Sequence, residues 1–304
     1  MAGRLRVSII LPVHGVPYET TRSAACAAER AGFDGVWVPD HLLNEGRPEA
    51  GVLECWTVLS AIAEATERVP IGPLVLATPL RHPVRLAKAA ASLDAIAPGR
   101  VRLGLGAGGF TYERACEQFG VPVLSPRERV DHVEESIRAL RALLTDDPAR
   151  FEGRYVQAHE IRIHPRPRAP IPIWGAARRP RMLGVVARLA DGWNCPLPWE
   201  VKAGLATLER LGRARETLTV SAFAIGVVGE SEAAARRDLE RAGPAAQLFG
   251  DVETHHVFGA PERVAARLRA LAAQGVQHVT LDIRGGSIPD SIHLIARDVL
   301  PLLR

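Results

Sequence analysis

The sequence predicts a (β/α)8 TIM barrel with short insertions, formed by a single domain over residues 1–304. Three observations point to it. Short apolar strands alternate with amphipathic helices almost from end to end, giving about eight βα units. One unit recurs, in which a helix ends in small residues and glycine before a strand: Ala31-Gly32 before 34–38, Ala190-Asp191-Gly192-Trp193, and Gln274-Gly275 before 277–283. No shift in composition marks a linker between domains.

Each element has its own signal. The first strand is expected at 5–11, where Arg4-Leu5-Arg6 leads into an apolar run from Val7 to Val13 too short for a secretory leader. A helix over 19–31 stops at Gly32; in the strand 34–38, Val36 and Val38 alternate around Trp37, and Pro39 denies the ladder a further donor. Helices at 54–66 and 83–96 and strands at 69–76 and 100–106 follow. Ser125-Pro126-Arg127-Glu128 is a capping box with proline at the first helical position. Behind it, Val130, Val133, Ile137, Leu140 and Leu144 form one apolar stripe over 126–144. Strands at 171–174, 192–195, 219–228 and 277–283 alternate with helices at 180–189, 199–213, 231–242, 261–274 and 288–303.

Segments 145–170 and 243–258 fit no unit and read as insertions. The first is expected to be a hairpin (Arg154-Tyr155-Val156, then Ile161-Arg162-Ile163) followed by a proline-rich connector. Such insertions usually shape the rim of a barrel's active face.

Charge and cysteine usage narrow the function. The formal charge is only +4, and the arginines spread along helices such as 127–141 and 263–269 instead of clustering with aromatics, which argues against nucleic-acid binding. Cys26, Cys55, Cys116 and Cys195 lack paired spacing, so neither a metal site nor a disulfide framework is expected, and a reducing cytoplasm suits the chain. No run approaches the roughly 20 apolar residues of a membrane helix.

Three segments carry candidate chemistry. Asp40 and His41 end a short strand, and ligands of α/β folds sit at the carboxyl ends of parallel strands; alternatively Asp40 caps a turn and His41 packs beside it. After 100–106, Gly104-Leu105-Gly106-Ala107-Gly108-Gly109 formally matches GxGxxG. A dinucleotide fingerprint would open a helix in the first βαβ unit and be followed by an acid about 20 residues on; here the nearest acids, Glu128 and Asp131, lie inside the capped helix. Glycines at a strand end also let a flat ring or phosphate approach the backbone, and a tight turn without a ligand is the remaining reading. In Ile173-Trp174-Gly175-Ala176-Ala177-Arg178-Arg179-Pro180-Arg181-Met182 a strand turns into a helix with arginines at its positive end. That arrangement suits a bound anion, or else an exposed basic turn that tolerates the repulsion.

With these pieces in order, the chain resembles the luciferase-like flavin and deazaflavin oxidoreductases, most closely the branch that uses coenzyme F420. The resemblance covers nearly the whole chain. It rests on Gly35 to His41, Arg81-His82-Pro83-Val84-Arg85-Leu86-Ala87-Lys88, Ser92-Leu93-Asp94 with Gly99-Arg100-Val101, Leu103 to Gly108, Pro172 to Gly175 with Ala190 to Trp193, and Gly259-Ala260-Pro261-Glu262. The resemblance implies a ring bound at the strand ends, with Asp40 contacting it and His41 donating or relaying a proton. It implies cofactor contacts from Thr78, Ala107 and Gly108. A bulge at Leu74 and Val75 would back the ring, often with a non-prolyl cis peptide. Gly175, Ala176, Ala177, Arg178, Arg179 and Arg181 would hold the phosphate. One departure stands out: where a sugar-phosphate dehydrogenase of this branch carries a catalytic glutamate, this chain has Gly109, with Glu113 the nearest substitute.

The expected reaction is hydride transfer between coenzyme F420 and a small organic substrate, with His41 or Glu113 handling the proton. The alternatives are an FMN-dependent monooxygenase served by a partner flavin reductase, and a non-catalytic flavin-binding relative. Trp56, Phe110 and Trp193, with Tyr112 and Trp199, are candidate substrate contacts, although each also reads as core. The family often forms homodimers through barrel helices.

Overall fold

The computed structural model describes residues 4–44, 47, 49–109, 111–247 and 249–303. Parallel strands β1 (Arg6–Ile10), β2 (Val36–Val38), β3 (Ile71–Pro73), β4 (Leu76–Ala77) and β5 (Leu103–Gly106) come first. The antiparallel hairpin β6 (Ala149–Glu152) and β7 (Gln157–Ile161) stands apart from the sheet. Then β8 (Ile173–Ala176), β9 (Gly192–Cys195), β10 (Thr219–Val228), β11 (Val257–Gly259) and β12 (His278–Ile283) complete it. Strands pair in the order β3-β2-β1-β12-β10-β9-β8-β5-β4, with β11 a short spur on β10.

The sheet closes where Ile71 of β3 bridges Val101 in parallel. The Ile71 amide donates to the Arg100 carbonyl at 3.0 Å, and the Arg102 amide donates to the Ile71 carbonyl at 2.9 Å. β3 and β4 are thus two halves of one strand, parted at Leu74 and Val75, whose peptide bond is cis. Counting them once leaves the (β/α)8 barrel that the alternating pattern predicts.

Around it lie α1 (Tyr18–Ala31), α2 (Cys55–Ala65), α3 (Pro83–Ile96), α4 (Tyr112–Phe119), α5 (Pro126–Thr145), α6 (Pro180–Leu189), α7 (Val201–Arg210), α8 (Glu232–Ala242), α9 (Val252–His255), α10 (Pro261–Ala273) and α11 (Ile288–Leu294). The capping box of α5 is present: Ser125 Oγ accepts from the Glu128 amide, and the Glu128 carboxylate accepts from the Ser125 amide. The helix expected over 288–303 is α11 followed by a wider turn at Ile295–Val299 and a tighter one at Leu300–Leu303.

Strand alternation separates two interiors. Val7, Ile9, Ala222, Ala224, Val279 and Leu281 join the apolar layer against the helices. The residues between them face inward and are largely polar: Ser8, Ser221, His278 and Thr280 are all buried. Trp37 Nε1 donates to Ser8 Oγ at 2.7 Å, Asn194 Nδ2 donates to Ser221 Oγ at 3.2 Å, and the Trp37 and Trp174 rings lie 5.2 Å apart. Burial holds the His278 pKa down at about 3, so that ring stays neutral.

The hairpin is present, but its arms precede the stretches expected for them and share only Ile161 with them. Tyr155 and Val156 occupy the turn, because the Glu135 carboxylate on α5 accepts from the amides of Arg154, Tyr155 and Val156 at 3.0, 2.6 and 2.7 Å. Segment 243–258 contains a short turn at Pro244–Gln247, α9 and the start of β11.

Closure at Ile71 demands a glycine next to it. A Cβ on Gly72 would lie 2.0 Å from the Arg102 carbonyl oxygen and 3.1 Å from the Trp37 ring. Gly72→Ala should therefore destabilise the protein by about 3 kcal/mol or more, at the upper end for overpacking. Equilibrium urea unfolding checks this, and an unchanged midpoint would place the closure elsewhere.

Candidate functional site

The carboxyl ends of the strands surround a cleft of about 1020 Å3, which Asp40, His41, Val75, Ala107, Gly108 and the 176–179 turn help to line. It lies at the face where parallel barrels gather catalytic groups.

Asp40 follows β2 and is buried. Its carboxylate accepts from Arg81 Nε at 3.2 Å, from Arg81 Nη2 at 2.5 Å and from the Ala77 amide at 3.0 Å. Arg81 also reaches Glu54 at 2.8 Å, and Glu54 caps α2 by accepting from the Thr57 amide at 2.7 Å. Burial alone would raise the Glu54 pKa, but the bonds from Arg81 and from the Thr57 and Trp56 amides outweigh it and bring it to about 2. Asp40 therefore has both oxygens engaged and acts as a strut between β2 and the broken strand.

His41 stands at the cleft wall with Nδ1 2.9 Å from Nε2 of His14. His14 is held neutral, with its pKa lowered to about 4 by burial, then by His41 and Arg284, against a smaller opposing pull from Asp282. One proton bridges the two rings, so the tautomer of one fixes that of the other.

The glycine turn is a wall and opens no helix. β5 ends at Gly106, Gly108 adopts φ 84°, and α4 begins only at Tyr112. A Cβ on Gly106 would lie 2.7 Å from Val75 Cγ2, and one on Gly108 would lie 2.8 Å from the Tyr112 ring. Two segments thus pack backbone against side chain, leaving the small faces of Val75 and Ala107 towards the cleft. The dinucleotide reading fails on this geometry.

At the other anion candidate, α6 starts at Pro180 and no side chain caps its N-terminus. Arg178 grips Glu200 with two bonds of 2.9 and 2.6 Å, which raises the arginine pKa and lowers that of the acid. Arg181 bonds to Asp131 and to the Arg127 carbonyl. Of the three side chains, only that of Arg179 makes no hydrogen bond or ion pair within the described residues; its carbonyl accepts from the Leu183 amide at 3.0 Å. The arginine surplus expected at this turn is therefore one cation and not three.

Several candidates lie away from the cleft wall. Leu74 packs against Trp37 and Trp174 inside the barrel, Thr78 is fully buried, and Gly175 makes room for Val186. Glu113 points outward on α4, 61% exposed and 3.7 Å from Arg129, which removes it as an acid facing His41. Trp193 is buried with its ring over Gly204 and Nε1 donating to the Ala177 carbonyl at 2.9 Å. Trp56 packs on the helix-side core, so neither tryptophan is placed to touch a substrate in the cleft. Trp199 does line the cleft, its ring tilted by 47° against that of His255 with centroids 4.5 Å apart. Phe110 lies outside the described residues. The sequence reading passed over His14 and Arg129; His14 follows β1 as His41 follows β2, and the same strand-end rule finds it.

The luciferase-like monooxygenase family model matches residues 6–249. The chain belongs to that family. Among curated relatives, an F420-dependent hydroxymycolic acid dehydrogenase of Mycobacterium tuberculosis is 35% identical over 219 residues, covering 70% of this chain and 60% of the relative. An F420-dependent glucose-6-phosphate dehydrogenase of Kineococcus radiotolerans is 34% identical over 172 residues, covering 56% and 50%. The matches thus span only half to three fifths of these relatives' lengths. A solved F420-dependent secondary alcohol dehydrogenase, in complex with an F420–acetone adduct, superposes with a TM-score of 0.86 over 99% of this chain and 100% of its own, at 19% identity. That likeness establishes the fold. Among the described residues no cluster of side chains could hold a metal ion, and no helix is long and apolar enough to cross a membrane.

The half-buried His14 predicts an acid-sensitive fold. An unfolded histidine titrates near 6.5 and folded His14 near 4, so between these values the unfolded chain binds the extra proton. Stability should fall as pH drops through that window. His14→Gln should flatten this part of the stability–pH curve in denaturant titrations; parallel curves for parent and variant would unlink His14 from it.

Proposed function

We propose that this protein is an oxidoreductase that transfers a hydride between coenzyme F420 and a small organic substrate. The observation that carries the reading is a single cleft joining a flat wall of small side chains to an uncapped, cationic helix end. Val75 and Ala107 face the cleft beside glycines whose Cβ positions are taken, and Ala176 and Ala177 continue the lining to α6. A planar ring with a phosphorylated chain fits that sequence of surfaces. The curated relatives named above support the deazaflavin over FMN as the ring.

In this reading Val75, Ala107 and Gly108 hold the ring and Ala176, Ala177 and Arg179 hold the phosphate. Arg178 and Arg181 shape the turn through Glu200 and Asp131. Asp40 holds the Val75 segment in place through Ala77 and Arg81. Leu74, Thr78 and Gly175 support these walls from behind. When bound, the deazaflavin supplies a ring carbon that accepts or gives up a hydride. His41 manages the accompanying proton, and His14 sets which of its nitrogens carries it. The glycine at 109 and the outward Glu113 leave no acid where a sugar-phosphate dehydrogenase uses one, so the reading favours another small alcohol or carbonyl compound.

Titration of the apo protein with F420 and with FMN at matched ionic strength tests the cofactor; tighter binding of FMN would promote the FMN-dependent monooxygenase reading. His41→Ala should lower kcat on the order of 10²-fold with cofactor affinity retained. Arg179→Ala removes the one cation of the α6 turn whose side chain has no hydrogen-bonded carboxylate and should weaken cofactor binding roughly tenfold. Parent-like affinity in that variant would move the phosphate elsewhere.

A further inference from the structure

The arginines among the described residues lining the cleft, Arg129, Arg178, Arg179 and Arg181, all belong to α5 or to the turn into α6. The side facing Val75 is different. With β3 and β4 counted as one strand, β10 stands diametrically across the barrel from it, past β2, β1 and β12 one way and past β5, β8 and β9 the other. The cleft residues that follow β9 and β10 include two large aromatics, Trp199 and Phe249. Trp199 is 38% exposed although its neighbours hold it firmly. Its ring centre lies 4.5 Å from that of His255 and 5.4 Å from that of His256. Gly250, at φ 110°, comes so close that a Cβ there would meet the indole at 2.9 Å. His256 is pinned in turn, its Nδ1 accepting from the Ile225 amide at 3.2 Å and its Nε2 lying 3.1 Å from the Phe249 carbonyl oxygen. The Phe249 ring meets Phe223 of β10 at 65°, with centres 5.4 Å apart. Arg284, after β12, is held by both oxygens of Asp282 at 3.0 and 2.6 Å, and neither is among the residues lining the cleft.

We propose that the substrate is an uncharged carbonyl compound, or the corresponding alcohol, that carries an aromatic ring and lies between the cofactor and the corner formed by Trp199 and Phe249. This rests on the F420 reading above, in which Val75 and Ala107 back one face of the cofactor ring. A hydride passes perpendicular to such a ring, so the substrate occupies the other face, the one turned towards β10. There a flat apolar group meets aromatic side chains already fixed by their neighbours, and little freedom is lost on binding. A carboxylate or phosphate in the same place would be stripped of water with no arginine or lysine of the cleft lining on that side to receive it. In the reducing direction the carbonyl carbon takes the hydride from the reduced deazaflavin, the π pair passes to the oxygen, and His41 supplies the proton. Oxidation of the alcohol runs these transfers in reverse.

Oxidised F420 has no hydride to give a ketone, so its complex with the protein reports binding alone. Calorimetric titration of that complex with acetophenone, 2-butanone and 4-acetylbenzoate separates ring, size and charge. Acetophenone should bind at least about tenfold more tightly than either of the others. Trp199→Ala should weaken acetophenone binding roughly tenfold, while affinities for 2-butanone and for F420 itself change less than about twofold. Trp199→Phe keeps an aromatic face and should retain most of the parent's affinity for acetophenone. No measurable acetophenone binding, equally tight binding of 2-butanone or 4-acetylbenzoate, or an acetophenone affinity that Trp199→Ala leaves unchanged each overturns the assignment. Equal losses for acetophenone and F420 in that variant, or a Trp199→Phe variant as weak as Trp199→Ala, overturn it as well. A parent that does not bind F420 overturns the functional reading, and this assignment with it.

Discussion

The Arg81 guanidinium, clasped between Asp40 and Glu54, is the interaction on which the cleft depends. Through Asp40 it ties the end of β2 to the Ala77 amide just past the break between β3 and β4. Through Glu54 it ties the same point to the N-terminus of α2. A barrel strand interrupted after three residues has few ladder bonds of its own, so its second half is placed by these side chains. Removing Arg81 would leave the buried Asp40 carboxylate with the Ala77 amide as its remaining partner, a cost on the order of 3–5 kcal/mol for a buried charge that loses its counter-ion. Val75 takes its position on the cleft from this arrangement.

Much of the barrel was legible because the period of the pattern changes at each strand and helix, and that alternation leaves few folds open. The places where sequence reading missed have physical causes. α4 went unseen because its exposed face (Glu113, Arg114, Glu117) leaves only Tyr112, Ala115 and Cys116 as a buried stripe, too short to register as a period. The third strand read as continuous over 69–76, since nothing local breaks the run; the cis peptide at Leu74–Val75 followed from the family resemblance alone, and the structure has it. Tyr155 and Val156 carry strand-forming side chains yet form a turn, because three amides converge on Glu135 from 20 residues earlier in the chain.

The site was legible in position and less so in charge. Strand-end reasoning placed Asp40, His41 and the turns at Gly108 and Ala176 on one cleft, a consequence of parallel topology that needs no side-chain detail. It could not see that Glu200 and Asp131 lie opposite Arg178 and Arg181, since both acids sit tens of residues away and belong to helices with their own reasons for carrying acids. Nor could it separate Trp193 from a ligand contact. Burial of that ring follows from Gly204 on α7, where a missing side chain admits the indole.

A neutral His14 and a nearly balanced arginine set give the cleft its electrostatic character. His14 cannot be protonated at ordinary pH without placing a second positive charge beside Arg284. His14 therefore stays neutral and accepts or donates only through its contact with His41. At the far wall the carboxylates cancel two of the three arginines of the α6 turn, so what attracts an anion there is local: one free guanidinium and the open end of a helix. A cleft built this way selects by the placement of single charges and not by a broad positive field. That suits a ligand whose ring must lie flat against Val75 and Ala107 while its anionic groups are caught one at a time.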